Sequence, residues 1–268
     1  MTAAEKARGD RRGEAIALNN LSAALVEVRR FEEVIAVQKN ASVICRGTGD
    51  RHGEAIAISN LGLALARMRR FEEAVTAFQD TIVIYRETSD RHGEAIAINN
   101  LGAALTGLRQ YAEAITGHEG AIVIYRETGD RHGEASALTN LGLALAGERR
   151  FGEAITAHVG AIVIYQETGD RHGEATALAN LGSAMTEARR FEEAITICQD
   201  AAEVYRQTGD RHGEAVALGP LGAALWEVRR HEEAIMICED AAKIYRETND
   251  RHGEATMLQN LEKVRAAI

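Results

Sequence analysis

Asp50-Arg51-His52-Gly53-Glu54-Ala55-Ile56-Ala57-Ile58-Ser59-Asn60-Leu61-Gly62-Leu63-Ala64-Leu65 is the stretch whose reading decides the fold. Its first six residues recur from Asp90, Asp130, Asp170, Asp210 and Asp250, and a variant with Arg12 in the histidine's place starts at Asp10. The spacing is 40 residues throughout, without insertion or deletion. A strict period of this length marks a stack of like supersecondary units and excludes a mixed fold. It divides the 268 residues into repeats 10–49, 50–89, 90–129, 130–169, 170–209 and 210–249. Residues 1–9 align with the second half of an outer helix, so the chain begins in mid-repeat, and 250–268 read as a C-terminal capping helix in which Glu262 replaces a packing glycine.

Each unit reads as a helical hairpin. From Arg51 to about Met68, apolar residues recur at Ile58, Leu61, Leu65 and Met68, the spacing of one helix face. Asp50 is placed to cap the start, and Glu54 stands near the positive end of the helix dipole. Arg69-Arg70-Phe71 forms a tight connection to a second helix over about Glu72 to Thr88, which turns Ala74, Val75, Phe78, Ile82 and Tyr85 to one side. Gly49, Gly129, Gly169 and Gly209 stand where a helix end needs the left-handed conformation, with Ser89 and Asn249 in two units. One hairpin cannot bury its apolar face alone, so neighbours stack into an all-α array.

The small residues place the contacts. Gly62, Gly102, Gly142, Gly182 and Gly222 lie mid-helix, where glycine costs roughly 1 kcal/mol against alanine. Close approach of the second helix at Ala74, Ala114, Ala154, Ala194 and Ala234 is the expected compensation. Leu61-Gly62, Leu65, Ala74 and Phe78 resemble the tetratricopeptide pattern of leucine-glycine, a large residue, alanine and an aromatic. That family's usual unit has 34 residues and often closes with proline. Here the unit is 40 and Arg86 stands at that place, so both helices are expected to be longer. The longer unit is similar to the repeats of kinesin light chains, of Pins-type G-protein-signalling modulators, and of arrays that follow NTPase modules in bacterial regulators. The resemblance implies a right-handed superhelical solenoid of tetratricopeptide-type hairpins. It also implies a protein or peptide ligand, and a place as the sensor portion of a larger bacterial regulator.

Composition narrows the function. The net charge of −9 argues against nucleic acid as the partner. No stretch approaches the ~20 apolar residues of a membrane span, and the N-terminus lacks a signal peptide's apolar core. Cys45, Cys198 and Cys238 form no CxxC motif and fit a reduced, cytoplasmic protein. The scarcity of lysine beside arginine is associated with GC-rich bacterial genomes.

The candidate site is a concave groove. Beside its core stripe the first helix carries a second one, Ile56, Ser59, Asn60, Leu63 and Arg67. Asparagine recurs on it as Asn20, Asn60, Asn100, Asn140, Asn180 and Asn260. A carboxamide offers a donor and an acceptor together, matching the two polar groups of a peptide bond. Ser59, Asn99, Leu63, Leu143 and Trp226 complete the expected groove, with Ile56, Ile96 and Ala103 alongside. The bland alternative has each asparagine bonded within the scaffold and Trp226 filling the end of the stack. Pro220 takes the asparagine's place in the sixth repeat and is expected to bend its helix and interrupt the column. The outer helix, with Glu72, Glu73, Gln79, Asp80, Arg86 and Glu87, is expected to be polar on its free side.

Other columns read as structure. His52, His92, His132, His172, His212 and His252 are one imidazole per repeat, which makes no tetrahedral metal site. Gln38, Phe78, His118, His158, Cys198 and Cys238 share one position, and the phenylalanine marks it as core. Glutamates face the Arg-Arg pairs at 29–30, 69–70, 149–150, 189–190 and 229–230. An enzyme needs a unique catalytic constellation, and the repetition holds none; no cofactor or metal is expected. The competing function is self-assembly through end-to-end stacking of an open solenoid.

Overall fold

A computed structural model describes the backbone of residues 3–266 and the side chains of residues 10–265. Thirteen helices and no strand occur among the described residues. The chain forms two compact units, one ending at Gly133 and the other beginning at Glu134. The first holds α1 (Ala3–Glu27), α2 (Phe31–Thr48), α3 (Arg51–Arg67), α4 (Phe71–Glu87), α5 (Arg91–Gly107) and α6 (Tyr111–Thr128). The boundary falls in the first turn of α7 (Arg131–Gly147). The second unit continues with α8 (Phe151–Thr168), α9 (Arg171–Glu187), α10 (Phe191–Thr208), α11 (Arg211–Glu227), α12 (His231–Glu247) and α13 (Arg251–Ala266). Successive helices pack on one another from α1 to α6 and from α8 to α13; α3 also meets α5, and α9 meets α11.

The local signals act where the sequence places them. Asp50 and Asp90 accept hydrogen bonds from the amides of Gly53 and Gly93 at 2.9 and 2.8 Å, and Asp170 and Asp210 do the same at Gly173 and Gly213. The outer helices end in a left-handed residue, either glycine, as at Gly49 (φ 77°), or Ser89 and Asn249. A second set of left-handed residues closes the inner helices: Arg29, Arg69, Arg109, Arg149, Arg189 and Arg229, with φ between 56° and 64°. Arg69 donates to Ala66 and Arg70 to Leu65, the paired bonds of a Schellman ending with arginine where glycine is usual. The side chain offsets part of that strain, because the guanidiniums of Arg69, Arg149 and Arg189 lie about 6 Å from the ring centres of Phe71, Phe151 and Phe191.

Packing corrects one expectation. The mid-helix glycines make room chiefly for the larger side chain four residues beyond the alanine. A Cβ on Gly62 would lie 2.7 Å from the Phe78 ring, on Gly102 2.7 Å from His118, and on Gly182 2.3 Å from the Cys198 sulfur. The alanines, Ala74 and Ala114 among them, are fully buried beside that contact. Around it the first unit gathers Leu25, Val34, Ile35, Leu65 and Phe78, and a second cluster joins Ile58, Ile82, Ile84 and Tyr85. Each such large side chain contributes about 1.5–3 kcal/mol by leaving water.

Successive hairpins are joined by a tyrosine and a carboxylate. A Cβ on Gly93 would lie 2.6 Å from the Tyr85 ring of the preceding outer helix, which therefore lies flat on the helix start. Beside it the buried Glu94 accepts from Arg86 at 2.7 Å and from Arg91. Burial pushes the Glu94 carboxyl up, but the two guanidiniums outweigh it and hold the group below the ordinary carboxylate range.

The N-terminus departs from the expected pattern. Ala3–Glu27 is one continuous helix with no break before Asp10, so residues 3–9 form no separate outer-helix piece. The backbone groups of residues 3–9 are paired by the continuation of α1. Residues 1–2 and 267–268 of the two terminal pieces lie outside the described residues.

Candidate binding surface

The inner helices turn the same positions outward in each repeat. On α3 these are Ile56, Asn60, Leu63 and Arg67, and on α5 Ile96, Asn100, Ala103 and Gly107. In the second unit they are Asn140 and Leu143 on α7, Thr176, Asn180, Ser183 and Glu187 on α9, and Val216, Pro220, Ala223 and Glu227 on α11. Spacings of three and four residues keep each set on one helix face. Leu63 and Leu143 are both 42% exposed, large apolar side chains left facing water.

The asparagines stand in this strip. Asn20 is exposed; Asn60, Asn100, Asn140, Asn180 and Asn260 are half-buried. The carboxamides of Asn60, Asn100 and Asn180 have no hydrogen-bond partner among the described residues, whereas Asn140 is engaged within the chain.

Two expected groove residues belong to the core. Ser59 is 8% exposed and Asn99 6%. One residue before the strip is a rotation of about 100° around the helix, enough to turn a side chain inward. There the His118 Nδ1 donates to the Asn99 Oδ1 at 2.8 Å. His118 and its counterpart His158 are fully buried, and burial holds both imidazoles down to about 4. Cys45, Cys198 and Cys238 are free and buried, and burial pushes the Cys198 thiol up to about 12.

Trp226 is half-buried, its ring centre 4.4 Å from that of His231, which takes the place of the phenylalanine or tyrosine of the other repeats. α11 runs through Pro220 as a continuous helix. On the outer helices Glu72, Glu73, Gln79, Asp80, Arg86 and Glu87 are exposed, but Val43, Val83, Val123 and Val163 share that exposure, Val83 at 52%. The sequence hides these valines inside apolar runs, such as Ile82-Val83-Ile84-Tyr85, whose other members are buried.

The remaining columns are occupied structurally. His52, His92 and His172 each stand edge-on to a tyrosine of the same repeat, with Nδ1 3.6 Å from the capping aspartate of the next. Arg30, Arg70, Arg150, Arg190 and Arg230 pair with Glu33, Glu73, Glu153, Glu193 and Glu233 three residues on. Among the described residues no cluster of histidine, cysteine and carboxylate is placed to hold a metal ion, and no helix is long and apolar enough to cross a membrane.

Comparison with known proteins agrees with this architecture. Tetratricopeptide repeat models match residues 13–87, 93–167, 136–207 and 215–252. No curated protein matches the chain. Among solved structures, aspartyl phosphate phosphatase F from Bacillus subtilis is similar at 16% identity and a TM-score of 0.71, over 97% of this chain and 72% of that one. A Rap protein in complex with competence and sporulation factor is similar at 13% identity and a TM-score of 0.66, over 92% and 73%. A kinesin light chain-type protein of nearly identical repeats from Podosopora anserina gives 16% identity and a TM-score of 0.59, over 72% and 95%. At these identities the likeness is one of fold.

Proposed function

Because the chain belongs to the tetratricopeptide repeat family, we propose that it is a protein-interaction scaffold whose inner-helix strip binds extended peptide segments. One observation carries the reading: uncommitted carboxamides stand on the inner-helix strips, Asn60 and Asn100 beside the exposed Leu63 and Ile96 in the first unit, and Asn180 in the second, whose strip also exposes Leu143. A carboxamide fixed in place and without a partner is ready for the amide and carbonyl of a ligand backbone, and the apolar neighbours select its side chains. The ligand is a protein or peptide, and the array serves as the sensor portion of a larger bacterial regulator in the cytoplasm. The similar Rap structure in complex with a factor gives that role a precedent in fold.

The test is a selection of random displayed peptides against the purified chain, repeated with Asn60, Asn100 and Asn180 all replaced by alanine. Selected peptides should bind the variant at least tenfold more weakly, at roughly one lost hydrogen bond per site, with helicity and melting unchanged. Unchanged binding together with a collapse in melting temperature would make the column structural. A second reading, end-to-end self-association, has support in the exposed Ile16, Leu21 and Val28 at the α1 end. Light scattering across a concentration series separates the two, since only self-association raises the mass.

A further inference from the structure

The first unit holds a cleft between α1 and α3 with a volume of 820 Å³. That is within the usual range for a ligand site, roughly 300–1,000 Å³. Its lining is mixed: Val26, Phe31, Val34 and Leu63 supply apolar wall beside Asn19, Ser22, Glu27, Arg29, Asn60 and Arg67. Two of its polar residues are both sheltered and unengaged. Ser22 lines the cleft at 3% exposure and has no hydrogen-bond partner among the described residues. The Asn19 Oδ1, also on the lining, is shielded from solvent and equally unpartnered. Gln38, on α2, is fully buried with both ends of its carboxamide unpartnered. In the third repeat the equivalent residues, Asn99 and His118, are joined by a 2.8 Å bond that leaves the His118 Nε2 unpartnered. Other buried polar atoms without partners lie away from any such opening, on His118, His158 and His231, whereas Asn19 and Ser22 line an open cleft that a ligand can enter.

The charges on the lining say which ligand. Arg29 and Arg67 both reach the cleft, against one carboxylate, Glu27. Neither arginine has a carboxylate within 4.0 Å among the described residues, unlike Arg30 and Arg70 beside them in sequence. Resting on the peptide-groove reading above, we propose that this cleft is the specificity pocket of the first unit. It takes an internal peptide segment in which an acidic residue adjoins a large aliphatic one. The carboxylate sits on Arg29 and Arg67 and the aliphatic side chain packs on Val26, Phe31 and Leu63. The adjoining backbone N–H donates to the Asn19 Oδ1, and a backbone carbonyl accepts from the Ser22 hydroxyl.

The experiment uses the full chain, labelled with nitrogen-15, and two capped peptides without free termini: acetyl-Ser-Asp-Leu-Ser-amide and its counterpart with asparagine for aspartate. The aspartate peptide should shift the amide resonances of Asn19, Ser22, Val26 and Leu63 and bind roughly tenfold tighter than the asparagine one. The preference should shrink with added salt. Arg67→Gln should bring the two peptides to equal affinity, and Ser22→Ala should weaken both with the charge preference kept. Equal binding of both peptides to the unmodified chain would overturn the proposal, as would millimolar peptide that shifts none of these resonances. Shifts confined to Asn100 and Asn180 would overturn the pocket while leaving the groove intact. Loss of displayed-peptide binding in the asparagine triple variant, with this cleft still responsive to the aspartate peptide, would support the groove and the pocket together.

Discussion

The two units are built on one pattern and differ in what they show to solvent. Ala55, Ala95, Ala175 and Ala215 are all fully buried, and Glu94, Glu174 and Glu214 occupy the same buried place. The strip diverges. The first unit offers Ile56, Asn60, Leu63 and Arg67 on α3; the second offers Thr176, Asn180, Ser183 and Glu187 on α9, then Val216, Pro220, Ala223 and Glu227 on α11. Both units expose large apolar groups, Leu63 in one and Leu143 and Val216 in the other, but the first adds a basic group where the second adds hydroxyls, an interrupted asparagine column and acid. Positions that close the stack are held to one residue type by packing density. Positions on the strip bear no such constraint and are free to be shaped by a ligand.

Each unit carries one fully buried imidazole, His118 bonded to Asn99 in the first and His158 without a partner in the second. Both are held at about 4, well below the ordinary value near 6.5, by burial alone. A base whose folded value is depressed gives stability that is fully present above the unfolded value. It is lost as pH falls from 6.5 towards 4, because only the unfolded chain takes the proton. The loss approaches about 3 kcal/mol per unit at the acid end. Copying the Ser59/Phe78 pair of the second repeat, through Asn99→Ser with His118→Phe, should free the first unit of this dependence and leave the second unchanged. Urea unfolding between pH 7 and 4.5 checks it. Equal acid sensitivity before and after the exchange would show that other groups govern acid unfolding.

The second difference is Pro220, alone of its kind in the chain. α11 runs through it, but the Val216 carbonyl loses its partner, and an interior proline costs about 3 kcal/mol. Pro220→Asn should stabilise the second unit by about 2 kcal/mol, part of the gain being lost where neighbours have adapted. Asn100→Pro should cost the first unit at least as much. Melting curves of both variants decide the matter. A neutral or destabilising Pro220→Asn would mean that the proline is matched to its surroundings.

The hairpins, their caps and their stacking were legible in the sequence because each depends on a residue type with one strong local preference: aspartate before a helix, glycine or asparagine after it, apolar residues at three- and four-residue spacing. The site was legible in part. Asn60, Leu63 and Arg67 follow from the period, but Ser59 and Asn99 were placed on the wrong side, since a polar side chain does not reveal whether water or a buried histidine is its partner. The left-handed arginines left no signal at all. Arg69 adopts that conformation under tertiary demand, aided by the ring of Phe71, and nothing in its type announces it. The cleft between α1 and α3 depends on how far two helices stand apart, which no residue spells out.

The finest contrast lies in the carboxylates between hairpins. In the first unit Glu94 is held by two guanidiniums, those of Arg86 and Arg91. In the second, Glu174 receives one guanidinium, from Arg171, and the carboxamide of Gln166 at 2.8 Å. Position 166 is glutamine where Arg46, Arg86, Arg126, Arg206 and Arg246 stand in the other repeats. Both carboxylates are buried, so neutralising either leaves donors without their charge, but Glu94 loses two charge-assisted bonds and Glu174 one. Glu94→Gln should therefore destabilise more than Glu174→Gln, by about 1 kcal/mol, kept small because the arginines are exposed and screened. Gln166→Arg should recover a fraction of that in the second unit, and the recovery should fade in high salt. Urea midpoints of the three variants at low and high salt measure it. If Gln166→Arg lowered stability at low salt, the glutamine would be the better partner there, and the difference between the units would lie in geometry instead of charge.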